Sequence, residues 1–315
     1  MARKARKPIF DFVVYFVIRL VVCVIQAMPP TLGFRIAEFF AWVGYKVNRR
    51  HREIAADNIR HAFPEFVSNP ARVDRMVRAC YRHFALMVVE IVLLPRKMHV
   101  RSWRRYATMY PGVRAITPLF GARPYLMVLG HFGSWELLGR LVGLFGFKTY
   151  AIARVLDNPH VDRFVKWFRQ GTGQTVIAKK DDFDRLTGVL GSGGKVATLA
   201  DQNAGPRGVF VDFFGRPAST HKAVALMAIE FDAVLAVVGA PRVAEPMFYA
   251  VECEDVIDPR EYADRPDAVR AITERYSAAL ERMIRRHPEQ YFWFHRRWKS
   301  QPVRRASKPS ARVAA

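Results

Sequence analysis

From Ile9 to Met28 the chain reads IFDFVVYFVIRLVVCVIQAM, apolar at almost every position. A run of that length predicts a helix able to cross the hydrocarbon core of a bilayer, which needs about 20 such residues. Asp11 and Arg19 interrupt it. Each opposes insertion, Asp11 from near one end and Arg19 on a stem that reaches the interface, so a span and a tilted or interfacial anchor both fit. The following AMPPTLGF offers no convincing small-residue cleavage site for a signal peptide. Over 31–47 the pattern turns amphipathic, with Phe34, Ile36, Phe39, Phe40, Trp42 and Val43 running into the basic KVNRRHR. Aromatic then basic suits a helix lying at anionic head groups, and a buried core helix fits equally well. Two more helices are predicted over 52–63 and 71–94, the second with an apolar stripe at helical spacing.

Near residue 112 the texture changes. Short apolar runs (125–130, 148–152, 196–200, 234–239) alternate with helical patterns (135–145, 159–170, 182–190, 221–230). That alternation predicts an α/β fold, a mixed sheet with flanking helices. A long helix over 265–287 and an aromatic, strand-like QYFWFHRRWK close the pattern. The expected organisation is a basic N-terminus and membrane anchor helix (1–30), a helical membrane-facing region (31–110), an α/β core (111–300) and a basic tail expected to be disordered (301–315).

Charge narrows the partners. The sequence has 50 Lys+Arg against 28 Asp+Glu, a net charge of +22, which implies nucleic acid, an anionic membrane surface, or acidic substrates and carriers. The chain carries no helix-turn-helix, zinc-finger or RNP signature, so no nucleic-acid partner is expected, although a non-enzymatic basic membrane or nucleic-acid-binding protein remains the alternative on charge alone. The three cysteines, Cys23, Cys80 and Cys253, are isolated. They suggest neither a disulfide framework nor a structural zinc site, and no metal or cofactor is expected.

The stretch LGHFGSWELL holds the candidate chemistry. It fits a strand end, a turn and a new helix, with His131 and Glu136 five positions apart. On one regular helix such residues are about 140° out of phase and do not pair. A sharp turn at Gly133-Ser134 brings imidazole and carboxylate together, and a histidine held by a carboxylate is a poised general base. The carboxyl ends of strands are also where open α/β sheets bind ligands. Taken alone, the pair fits a structural histidine beside a helix-start glutamate as well. Ser134 lies in GSW rather than a G-x-S-x-G elbow, GVLGSGGKVA lacks phosphate-loop spacing, and no His/Glu spacing matches a zinc protease.

Several blocks together resemble the bacterial lipid A biosynthesis (late) acyltransferases of the lauroyl/myristoyl type. LGHFGSWELL resembles their His-x4-Asp/Glu motif. RRHREIAADNIRHAFPEF (49–66), RVLDNPHVDRFVKWFRQ (154–170), DQNAGPRGVFVDFFGRPAST (201–220) and HPEQYFWFHRRWK (287–299) are similar to further blocks of that family, in the same order and over nearly the whole chain. Asn203, where the family usually has an acidic residue, and His221-Lys222 after Thr220 depart from its pattern.

The resemblance implies a glycerol-3-phosphate-acyltransferase-like core. It also implies transfer of a fatty acyl group from a thioester, on acyl carrier protein or CoA, to a hydroxyl of a lipid A precursor or similar anionic glycolipid. A phosphatidylinositol mannoside or an aminolipid is the alternative acceptor. On this basis His131 is expected to take the hydroxyl proton and Glu136 to orient it, with Asp201 sharing or competing for that role. Arg169 is the expected oxyanion donor, with Arg154 as its alternative; binding acceptor phosphate or capping a helix C-terminus is the other reading of either arginine. Asn158, Gln202, Thr220 and Ser134 are expected at the substrate, and Leu137, Leu138, Leu141, Leu144 and Phe145 around the acyl chain, unless they are plain core. A thioester carried in the cytosol implies the inner membrane, with the catalytic domain facing the cytoplasm.

Overall fold

In the computed structural model, which describes residues 8–109, 112–171, 173–178, 182–244 and 246–302, four helices precede the sheet. They are α1 (Pro8–Ala27), α2 (Pro30–Val47), α3 (Arg49–Ala62) and α4 (Pro70–Lys97). The basic residues 1–7 and most of the expected tail lie outside the described residues. Helix starts follow capping rules: Asn48 and Asn69 accept backbone N–H groups of α3 and α4 through their side chains, and Pro follows Asn69 at the first helical position.

The core then runs β1 (Ala107–Thr108), α5 (Thr117–Phe120), β2 (Tyr125–Leu129), α6 (Trp135–Leu144), β3 (Thr149–Ala153), α7 (Pro159–Gln170), β4 (Gln174–Ala178), α8 (Phe183–Gly191) and β5 (Lys195–Leu199). It continues through β6 (Val209–Phe213), β7 (Arg216–Thr220), α9 (Ala223–Glu230), β8 (Val234–Gly239), β9 (Tyr249–Ala250), β10 (Glu252–Ile257) and α10 (Ala268–Arg286). The main sheet has the order β10-β8-β2-β5-β3-β4. All its pairings are parallel except β10 with β8, so the α/β class with a mixed sheet and flanking helices holds.

All five residues of the central strand β2 are buried, as expected of a strand covered on both faces. Leu126 and Val128 join a core that contains residues of α3, α9 and α10; Tyr125, Met127 and Leu129 join another with α4 and α6. The second half of α4 is therefore core, while Phe39, Phe40 and Trp42 on α2 are more than half exposed.

One element adds to the sequence expectation and one differs from it. The 209–220 block is an antiparallel hairpin whose turn, Phe214-Gly215, has positive φ at both residues, the backbone of a tight two-residue turn. The QYFWFHRRWK segment is not a strand but an irregular run with one bridge, Tyr291 to Phe132. Its backbone groups are used elsewhere: Phe292 N donates to the His131 carbonyl at 2.9 Å, and the Trp293 and His295 carbonyls accept from Asn58 Nδ2 at 2.7 and 2.8 Å.

Candidate active site

The sheet order builds the site. β2 and β5 are parallel neighbours with Leu129 opposite Leu199, so two residues past each strand end His131 and Asp201 emerge side by side. Asp201 Oδ1 accepts from His131 Nδ1 at 2.8 Å, and Oδ2 accepts the His131 backbone N–H at 2.8 Å. One carboxylate thus fixes the ring and the main chain of the same residue. With the proton held on Nδ1, Nε2 is left with its lone pair. The Trp135 ring stands edge-on to the imidazole, with centroids 5.3 Å apart, and Phe292 lies on another side at 6.0 Å.

The turn carrying His131 requires glycine at 133. Gly133 has φ +57, and a Cβ there would lie 2.3 Å from the Ala240 carbonyl oxygen. That approach lets Ser134 N donate to the Ala240 carbonyl at 2.8 Å and Gly133 N to the Gln290 carbonyl at 3.1 Å. The end of β8 and the C-terminal segment therefore clamp the turn.

Glu136 stands in the first turn of α6 and does not reach the imidazole. Its carboxylate is taken by Arg169 from the last turn of α7: Nε donates to both oxygens at 3.1 Å, and Nη2 makes a further close contact with Oε1. The carboxylate bonded to the imidazole is therefore that of Asp201 and not that of Glu136. A parallel neighbour strand delivers its carboxylate directly to His131, whereas the helix turns Glu136 toward α7. The Glu136–Arg169 pair lines a cavity of only about 20 Å³ with Ile91, Leu137 and Phe168, room for roughly one water. Leu137, Leu138 and Leu141 are buried in the core, and Leu137 also faces this cavity.

The other expected site residues separate. Gln202 stays close, its Nε2 lying 3.4 Å from His131 Nε2. Thr220 is fully buried, and its Oγ1 accepts from Arg297 Nη2 at 2.6 Å. Ser134 is fully buried at the N-cap of α6. Asn158 caps α7, accepting from His160 N and Val161 N, while its Nδ2 donates to the Asp11 carbonyl of α1 at 2.8 Å. Arg154 is exposed and pairs with Asp157 in its own loop. Thr220 and Asn158 thus make structural contacts where substrate contacts were expected, while the buried Ser134 Oγ has no hydrogen-bond partner among the described residues.

Three residues at the site went unread in the sequence. The buried Tyr291 phenol stands near Asp201, and burial first and that carboxylate's charge next hold its pKa well above the ordinary value. His295 Nε2 accepts the Asn203 N–H at 3.0 Å. Arg297 is 2% exposed, donates to the Ser219 carbonyl at 2.5 Å as well as to Thr220, and places its positive charge within the field of Asp201.

These charges set the titration of the pair. Burial disfavours the imidazolium, but the attraction and hydrogen bond of Asp201 outweigh it and hold the His131 pKa above its ordinary value. Burial likewise pushes the Asp201 carboxyl up, yet its bonds to His131 bring it below the usual carboxylate range. A buried carboxylate kept ionised behind a histidine whose Nε2 lone pair faces the Gln202 amide is equipped to accept and hold one proton.

The sequence model of the bacterial lipid A biosynthesis acyltransferase family matches residues 3–300. The chain belongs to this family. It is therefore an acyltransferase, which sets aside a non-enzymatic binding protein. Its relatives include a lipid A biosynthesis palmitoleoyltransferase of Escherichia coli (strain K12), 27% identical over 271 residues and 82% of each chain. A lipid A biosynthesis lauroyltransferase of the same organism is 24% identical over 293 residues and 90% of each chain. The crystal structure of the 1-acyl-sn-glycerophosphate (LPA) acyltransferase PlsC from Thermotoga maritima covers 80% of this chain and 95% of its own, with a TM-score of 0.37 and 12% identity.

Proposed function

We propose that this acyltransferase moves a fatty acyl group from a thioester on acyl carrier protein to a hydroxyl of a lipid A precursor, with His131 as the general base. The observation carrying the reading is the His131–Asp201 pair at the carboxyl ends of two adjacent parallel strands, in a chain of this family. As the acceptor hydroxyl attacks the thioester carbonyl, its proton passes to Nε2 while Asp201 balances the growing imidazolium charge. The tetrahedral oxyanion needs fixed donors. The Gln202 amide is the nearest to Nε2, and the Arg169 guanidinium, held by Glu136, supplies positive charge to the same end of the sheet. When the tetrahedral intermediate collapses, the carrier thiolate leaves and takes up a proton.

The reaction belongs at the inner membrane, facing the cytoplasm. Supporting this, α1 has no buried residue, and the aromatic face of α2 is exposed beside it. The excess of positive charge suits an acidic carrier and an anionic acceptor.

Wild type and His131→Ala are to be expressed in a host lacking its own late acyltransferase, and their lipids compared by mass spectrometry. One added acyl chain on lipid A with wild type alone is the expected result. A gain on another lipid would replace the acceptor and keep the chemistry; the same gain with both versions would remove His131 as base.

The rate should also depend on pH in a stated direction. The base works only when neutral, and its pKa is raised, so log kcat/KM is expected to fall as pH drops through a value above about 6.5, the ordinary histidine pKa. An acidic limb below that value would contradict the assignment.

A further inference from the structure

Away from His131, an open cavity of about 450 Å³ lies between the start of α2, the segment after α4 and the loop that follows β8. Its walls are of two kinds. Pro30, Phe34, Met247 and Phe248 form an apolar side, and Lys97 and Arg105 bring two cations. Neither cation has an ion-pair partner among the described residues, whereas Arg82, farther back on α4, pairs with Glu38. His131, Asp201, Glu136 and Arg169 contribute nothing to the lining.

The apolar wall is fixed from behind. Met247 has φ +70, a backbone state that a residue with a Cβ adopts uncommonly. Its N–H donates to Glu90 Oε1 at 2.8 Å, and the same buried carboxylate takes Arg242 Nε at 2.8 Å. The opposite wall begins where the apolar helix α1 ends: α1 stops at Ala27 and Pro30 opens α2. Farther along α2, Phe39, Phe40 and Trp42 are 58%, 62% and 54% exposed. The cavity therefore opens at the level where an apolar helix meets an aromatic, interfacial one, which is the depth of lipid head groups.

We propose that this cavity binds an anionic membrane phospholipid, its phosphate on Lys97 and Arg105 and the start of its acyl chains over Phe34 and Phe248. A free phosphate would use the two cations and leave the apolar wall in water. A neutral lipid would cover the wall and leave the cations unanswered. An anionic lipid satisfies both halves, and it would tie the junction of α1 and α2 to the loop after β8.

The test is native mass spectrometry of the full chain in detergent with added phosphatidylglycerol or phosphatidylcholine. Retention of one phosphatidylglycerol, in preference to phosphatidylcholine, is expected. Each cation near an anionic headgroup is worth roughly five-fold in binding, so Lys97→Gln with Arg105→Gln should weaken retention about thirty-fold. Arg101→Gln with Arg104→Gln removes the same charge from exposed neighbours outside the lining and should leave retention unchanged. Phe34→Asp keeps both cations, sets a carboxylate in the apolar wall and should also release the lipid, which covers the case in which the first double variant does not fold. Equal retention by the two double variants, equal retention of phosphatidylcholine, or full displacement by equimolar inorganic phosphate would each overturn the proposal.

Discussion

Asp201→Asn is expected to lower kcat/KM for acyl transfer by about 10³–10⁴-fold, the size of loss seen when a histidine base is left in the wrong tautomer. Asp201 accepts two N–H groups of His131, one on each oxygen. Asparagine has one oxygen and one NH2, so one of the two donors then meets another donor. If the amide oxygen stays on the backbone N–H, the imidazole relieves the clash by moving its proton to Nε2. An imidazole protonated at Nε2 is no longer a base toward the acceptor. The acidic limb of the pH profile should also move down, because Asp201 is what raises the His131 pKa. Glu136→Gln supplies the contrast. Its oxygen still accepts from Arg169 and nothing changes at Nδ1, so a smaller loss with no shift of the limb is expected. A near-normal Asp201→Asn beside an inactive, limb-shifted Glu136→Gln would return the orienting role to Glu136.

That contrast marks what local pattern carries. The run at 125–130, the turn and the helix after it are written in neighbouring residues, and β2 and α6 lie where their periodicity puts them. The histidine's partner is not a local matter. Spacing offers Glu136, five residues away, whereas Asp201 is brought in by the pairing of β2 with β5, and no local rule fixes which strands become neighbours. The C-terminal segment hid its residues differently. In YFWFHRRWK the density of aromatics reads as a strand, and the polar members among them, His295 and Arg297, look like a solvated edge. In the fold they turn inward because Asn58 takes the backbone carbonyls of Trp293 and His295, 235 or more positions away in the chain. The tight hairpin was masked because Phe214 occupies a positive-φ position where Asn, Asp or Gly is the usual signal. Its burial at 4% exposure and the bond from its N–H to Glu281 Oε2 compensate that conformation.

Glu90→Ala is expected to destabilise the fold by about 3–5 kcal/mol, the range for a buried ion pair broken from one side. Glu90 is fully buried in α4. It accepts from Arg242 Nε and from Met247 N at 2.8 Å each, with further close contacts from Arg242 Nη2 and the Tyr249 hydroxyl. Truncation leaves a guanidinium only 10% exposed at its side chain with no counter-charge. His83 cannot substitute: burial first, and then Arg242 itself, push its pKa down to about 3, so it stays neutral and meets Arg242 through Nδ1. The consequence should reach the active site. Arg242 N donates to Gln290 Oε1, and Gln290 Nε2 returns a bond to the Arg242 carbonyl; the adjacent Ala240 and Gln290 carbonyls hold Ser134 and Gly133. Thermal unfolding should therefore fall by roughly 5–8 °C, with activity lost below the unfolding temperature as the His131 turn loosens. Glu90→Leu combined with Arg242→Met removes both charges and keeps apolar volume, so the pair should be more stable than Glu90→Ala alone. If the double variant were instead worse by the sum of its parts, the Glu90 contribution would lie in packing against α4's neighbours and not in the ion pair.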